Sequence, residues 1–264
     1  MGGSPSSSTL LLVAVLLASA GVAVSPRPAI HVLGTYDLLL VETTPLVIKD
    51  QLYLFESMRP DYWNNTNDTR SSGSEYLRFV HMLSGAKTPS FGTGHALGCA
   101  HAEATGGPHD GVYAFGTKRS FGDAGAAADA TGGAAPGQII SMFKSTDMMQ
   151  TWQTKTIIDF SQQQQGSRKK RVVFNTSVGK GKLNGTDVWV LAYEWSRPPA
   201  GWNTNFAISH DLLSWELLDE EQYSMPVDVE HADPTLRYVE GDGYWYCIPA
   251  RKDPAKWQFF RELC

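Results

Sequence analysis

The stretch VEHADPTLRYVEGDGYWYCIPA, residues 229–250, holds a short apolar run, a Gly-Asp-Gly turn and a second run dense in aromatic residues. Successive side chains of a strand point to opposite faces, so two such runs around a Gly/Asp turn predict a β-hairpin. The same order recurs upstream. VETTPLVIKDQLYLF (41–55) runs from a short apolar strand through a turn into an aromatic one, GHALGC (94–99) leads through Gly106-Gly107 into GVYAFGT (111–117), and FNTSV (174–178) leads through Asn184-Gly185 into DVWVLAYEW (187–195). Four units therefore open near residues 42, 95, 175 and 230, and recurrence on this scale predicts an array of like sheets. No stretch beyond the N-terminus carries an amphipathic helical pattern.

A second element keeps the same period. Ser145-Thr146-Asp147 precedes Trp152, Ser209-His210-Asp211 precedes Trp215, and Asp253 precedes Trp257. An Asp in such a turn accepts backbone N–H bonds, while the Trp covers the hairpin. Residues 122–137, almost all Gly and Ala, and QQQQGSRKKR (162–171) read as exposed loops between strands.

A net charge of −5 and a pI near 5.8 provide no basic field for a nucleic acid backbone. An acidic, aromatic-rich surface suits a neutral partner. Residues 10–20 (LLLVAVLLASA) are apolar and end in the small-x-small pattern Ala18-Ser19-Ala20. This predicts a signal peptide over residues 1–24, a secreted chain, and no membrane attachment once the signal is removed. Among four N-x-S/T triplets, those at Asn64, Asn67 and Asn184 lie in exposed loop or turn sequence and are the expected glycosylation sites. The three cysteines, Cys99, Cys247 and Cys264, form no metal or redox motif, and Cys99 and Cys247 read as small buried hydrophobes.

The unit openings VETTP and VEHADPTLRY, the central FNTSV and the two Ser-x-Asp turns make the chain resemble the five-bladed β-propellers of the arabinanase–levansucrase–invertase superfamily, the family-43 and family-32 glycoside hydrolases. The resemblance runs from about Thr35 onward. It implies an all-β fold of propeller type over residues 25–264, with about four blades in this chain. A fifth unit would begin beyond Cys264, so the ring is expected to be incomplete at the C-terminus.

In such a fold the first strand of each blade lines a central channel. The resemblance therefore places Glu42, Thr43, His95, Asn175, Thr176, Glu230, Asp233 and Arg237 around one pocket. Glycoside hydrolysis needs two carboxyl groups flanking the scissile bond. The family draws Asp, Asp and Glu from its first three blades; here the first unit has Glu42, the second has no carboxylate over residues 96–100, and the third has Asn175. Glu42 and Asp233 are the expected acid–base pair, although Asp233 before Pro234 also fits a turn cap. Glu194 reads as a strand-end residue. Trp195, Trp202 and Tyr244 fit either sugar stacking or core packing. His95, His101 and Glu103 share strand parity, but no further ligand joins them, and neither a metal nor a cofactor is expected.

Two readings stay open. One is a secreted glycosidase acting on a neutral glycan; the other is a catalytically inactive propeller that binds carbohydrate or a protein partner. A third, sialidase-like reading needs a cluster of arginines, and the unit openings supply only Arg237. The mature chain is expected to begin between Gly21 and Ser25. N-terminal sequencing of secreted material checks this, and a chain still beginning at Met1 would refute it.

Overall fold

Alternating apolar and polar side chains turn each repeated unit into one antiparallel sheet. The computed structural model describes residues 40–60, 75–118, 137–160, 172–196, 202–219, 223, 231–252, 257–259 and 262–263. The signal segment, the sequons at Asn64 and Asn67, Glu230, Asp253 and the RKKR run lie outside the described residues. In the first sheet β1 (Leu40–Ile48) pairs with β2 (Gln51–Met58), and β2 with β3 (Tyr76–His81). The Lys49-Asp50 turn has φ of 47° and 62°, which matches the twist of the flanking strands. Bridges Val80–Lys87 and Leu77–Phe91 carry the chain back along β3.

The second sheet runs in the order β4 (His95–Glu103), β5 (Gly111–Lys118), β6 (Ile139–Ser145), β7 (Gln153–Asp159). The third does the same with β8 (Val173–Leu183), β9 (Thr186–Ser196), β10 (Trp202–Ser209) and β11 (Glu216–Leu217). Asn184-Gly185, at φ 51° and 80°, closes the β8–β9 hairpin and leaves Asn184 exposed. In the fourth, β12 (His231–Val239) pairs with β13 (Tyr244–Lys252), which also pairs with β14 (Trp257–Phe259) and β15 (Glu262–Leu263). The first strands of successive sheets are neighbours: β1 with β4, β4 with β8, β8 with β12. Sheets radiating from adjacent first strands make this an all-β fold of β-propeller type.

The cores lie between blades. Phe55, Leu77, Phe79, Phe91 and Phe143 fill the space between the first and second sheets. Tyr113, Phe115, Ile140, Trp189, Leu191 and Tyr193 fill the next, and Val188, Val190, Leu236, Trp245 and Cys247 the third. Burying one such side chain is worth about 1.5–3 kcal/mol, so each interface is a small core of its own. The Ser-x-Asp turns lock its outer rim. Asp147 accepts hydrogen bonds from Ser145 Oγ (2.8 Å), Thr151 Oγ1 (2.5 Å) and the amides of Thr151 (3.0 Å) and Gln150 (3.2 Å). These bonds, Thr151's first, hold its carboxyl well below the usual carboxylate range. The turn delivers Trp152 onto Phe91 of the preceding blade, with ring centroids 3.9 Å apart and planes at 16°. Asp211 and Trp215 repeat the arrangement, with Trp215 edge-on to Phe115.

Blade packing leaves no room at Gly181 of β8. A Cβ there would meet Tyr238 Cγ at 2.3 Å and Tyr238 Cβ at 2.6 Å, atoms close to the backbone of β12. Gly181→Ala is expected to destabilise the protein by about 2 kcal/mol through overpacking. Gly241→Ala, where a Cβ meets nothing within 4 Å, is the control in the same thermal melts. Equal melting temperatures for the two variants would refute the tight third interface.

Candidate functional site

Each first strand carries a register shift near its start. The shifts lie between Leu40 and Glu42, Ala96 and Cys99, Val173 and Thr176, and Ala232 and Thr235. A bulge inserts an unpaired residue, bends the strand and re-aims the side chains before it. It also frees backbone groups that need partners, and neighbouring blades supply them. Leu97 N donates to Ser57 Oγ (2.9 Å) and Phe174 O accepts from Thr117 Oγ1 (2.7 Å). Leu236 N donates to Ser177 Oγ (3.0 Å), and Asp233 N to Glu194 Oε2 (3.2 Å). Leu97 and Asp233 sit at φ 57° and 51°, a region that Asp tolerates and Leu rarely adopts.

The bent strand ends surround a cavity of about 360 Å³. Thr43 and Thr44 of β1, Gly98 and Cys99 of β4, Asn175 and Thr176 of β8, and Asp233 and Arg237 of β12 contribute to its lining. Asn175 Nδ2 bridges two carboxylates: it donates to Glu194 Oε2 (2.9 Å) and to Asp233 Oδ1. The residue Asp233 is exposed on the cavity side, yet enough protein surrounds its carboxyl for desolvation to push its pKa above the ordinary value of 3.8. Cys99 is inert by contrast, because burial pushes its thiol up to about 12.

The structure thus brings Thr43, Asn175, Thr176, Asp233 and Arg237 to one cavity. Glu42 contributes its backbone to β1, beside Thr43; its side chain lies outside the described residues. His95 is a correction. It is buried, with Nε2 3.0 Å from Ser141 Oγ and its ring edge-on to Phe143, and it does not line the cavity. The bulge between Ala96 and Cys99 is the reason: it reverses parity, so His95 faces the first blade while His101 and Glu103 face the third. Glu103 there binds Lys180 Nζ at 2.8 Å and His101 Nε2 at 3.3 Å. Trp195 packs in the core at 1% exposure, Trp202 rests edge-on against Phe174, and Tyr244 stands exposed on the last sheet; none lines the cavity.

Glu194 is the second correction. It is no ordinary strand-end residue but a carboxylate only 3% exposed. The signal was present in DVWVLAYEW: Glu194 shares parity with Val188, Val190 and Ala192, all buried. A carboxylate on an apolar face needs partners, and it finds them in Asn175 and the Asp233 amide.

No protein-family model and no curated protein sequence matches this chain. Solved structures do. The chain is similar to the α-L-arabinofuranosidase of Fusarium graminearum, solved with an iminosugar inhibitor, at 11% identity and a TM-score of 0.51, over 84% of this chain and 60% of that one. It is also similar to the α-L-arabinanase of Cellvibrio cellulosa, at 11% identity and a TM-score of 0.46, over 85% of this chain and 72% of that one. The chain spans three-fifths of the length of the arabinofuranosidase. At this identity the likeness is one of fold: a β-propeller of the architecture seen in glycosidases of these kinds, far diverged in sequence.

A raised aspartate pKa has a signed consequence for stability. The folded state then binds the proton more tightly than the unfolded state. Its contribution is full below the unfolded value of 3.8 and is lost as pH rises through the folded value. Asp233→Asn, which keeps the hydrogen-bond acceptor and tolerates φ of 51°, is expected to melt higher than the unchanged protein at pH 7. The gain should vanish below pH 3.8. A lower melting temperature for Asp233→Asn at pH 7 would refute the desolvated carboxyl.

Proposed function

We propose that this chain is a secreted glycoside hydrolase-type propeller that binds a glycan in the central cavity and uses Asp233 as its general acid. The observation that carries the reading is the state of Asp233: a carboxyl on the cavity wall, with a pKa raised by desolvation and held in place by Asn175. A raised pKa holds the proton to higher pH than a free aspartate would, which favours its transfer to the leaving glycosidic oxygen. Glu42, adjacent in β1 to the cavity-lining Thr43, is the proposed partner that accepts the proton of the attacking water. Glu194 does not line the cavity. It is a positioning residue, fixing the Asp233 backbone and the Asn175 amide from behind. The fold shared with an arabinofuranosidase supports this reading, and the apolar run at residues 10–20 supports export.

A second reading, a propeller that binds a glycan without cleaving it, is favoured by one residue. Asn175 stands where the family pattern has a carboxylate, and an amide transfers no proton.

Screening the purified full chain against aryl glycosides and plant polysaccharides separates the two. Turnover is expected to fall about 10²-fold or more in Asp233→Asn and in Glu42→Gln, the scale of a lost acid or base. Binding in both variants alongside no turnover in the unchanged protein would replace the hydrolase with the binding propeller.

A further inference from the structure

We propose that the central cavity takes a sugar bearing a carboxylate, seated by Arg237 on the β12 wall. The inference deepens the glycan reading of this cavity and rests on it. Expecting a neutral glycan followed from the net charge of the whole chain, and the cavity has its own local balance. Its lining holds one guanidinium, that of Arg237, and one described carboxyl, that of Asp233. Asp233 is engaged by Asn175 Nδ2 rather than by the guanidinium. The charge of Arg237 is therefore one that no described carboxylate pairs.

The geometry of Arg237 supports a ligand role. Its Nη1 donates to the carbonyl of Leu236, the preceding residue, at 2.7 Å. No carboxylate among the described residues forms an ion pair with it. A guanidinium has five N–H donors in a planar fork, and among the described residues the Leu236 carbonyl engages one of them. Its field also crosses that space: burial dominates the high pKa of Cys99 on β4, and the charge of Arg237 acts in the opposite direction. Asn175 adds a complementary feature. With Nδ2 committed to two carboxylates, its Oδ1 is buried and has no partner, which suits a sugar hydroxyl as donor. A planar carboxylate matches the guanidinium fork in two parallel bonds, and neighbouring hydroxyls on the same ring would reach Asn175 and the threonines of β1.

Binding, rather than turnover, tests this. The full chain carrying Asp233→Asn is titrated calorimetrically with a galacturonate oligosaccharide, a sialylated trisaccharide and a neutral galactose oligosaccharide of matching length. At least one carboxylated sugar is expected to bind about tenfold or more tighter than the neutral one, the scale of a hydrogen bond to a charged group. Added salt should weaken that preference. Arg237→Gln should abolish the preference and Arg237→Lys restore only part of it, because an ammonium cannot form the paired bonds. Arg237 is exposed, so both variants should melt as the unchanged protein does. Equal affinity for neutral and carboxylated sugars, unaffected by Arg237→Gln, would overturn the inference and leave the glycan site standing. Binding of none of the three would overturn both.

Discussion

One extra residue near the start of each first strand is the constraint on which the candidate site depends. Each first strand lies at the edge of its own sheet, so one row of its amides and carbonyls must find partners outside that sheet. The bulges at 96–99, 173–176 and 232–235 re-aim part of that row near the strand start. Amides and carbonyls released there are bonded by Ser57, Thr117, Ser177 and Glu194, each on a neighbouring strand or blade. An unmet buried backbone group costs about 1–3 kcal/mol, so these side chains stitch blade to blade at the mouth of the cavity. The packing of blade on blade and the shape of the site rest on the same set of hydrogen bonds.

Away from the mouth, different physics holds the blades together. Aromatic and branched side chains alternate out of each sheet and meet those of the next, and the Asp-turn tryptophans cover the outer rim. These contacts are apolar and depend on volume and pattern more than on residue identity, which suits a fold recognisable at 11% identity. The mouth is polar and intolerant. Glu194 shows the contrast within a single strand: it continues the buried face of Val188, Val190 and Ala192, yet serves the bulge of β12 and the amide of Asn175.

This division of labour bears on chemistry. Asn175 ties Asp233 to Glu194, so the site holds two acidic groups through one amide. One of them is desolvated at the cavity wall and the other is committed behind it. That separation of environments is what supports the role proposed for Asp233 as an acid.

The sequence by itself determined the strands, the hairpin turns, the order of units and the positions of the Asp–Trp locks. All of these follow from period-two alternation and from turn residues such as Asn184-Gly185, which act over a few positions of chain. It also named Asn175, Thr176, Asp233 and Arg237, which the structure places along one cavity. Only the tertiary structure decided which way the residues at the mouth point. His95 was assigned to the pocket because it opens a unit, and the structure turns it into the blade. Glu194 looked peripheral until β12 supplied its partners. For His95 the physical reason is that a one-residue shift reverses every side chain before it; for Glu194 it is that part of its hydrogen bonding comes from another blade. What stabilises that shift is a hydrogen-bond partner tens of residues away, such as Ser57 for Leu97 or Glu194 for Asp233.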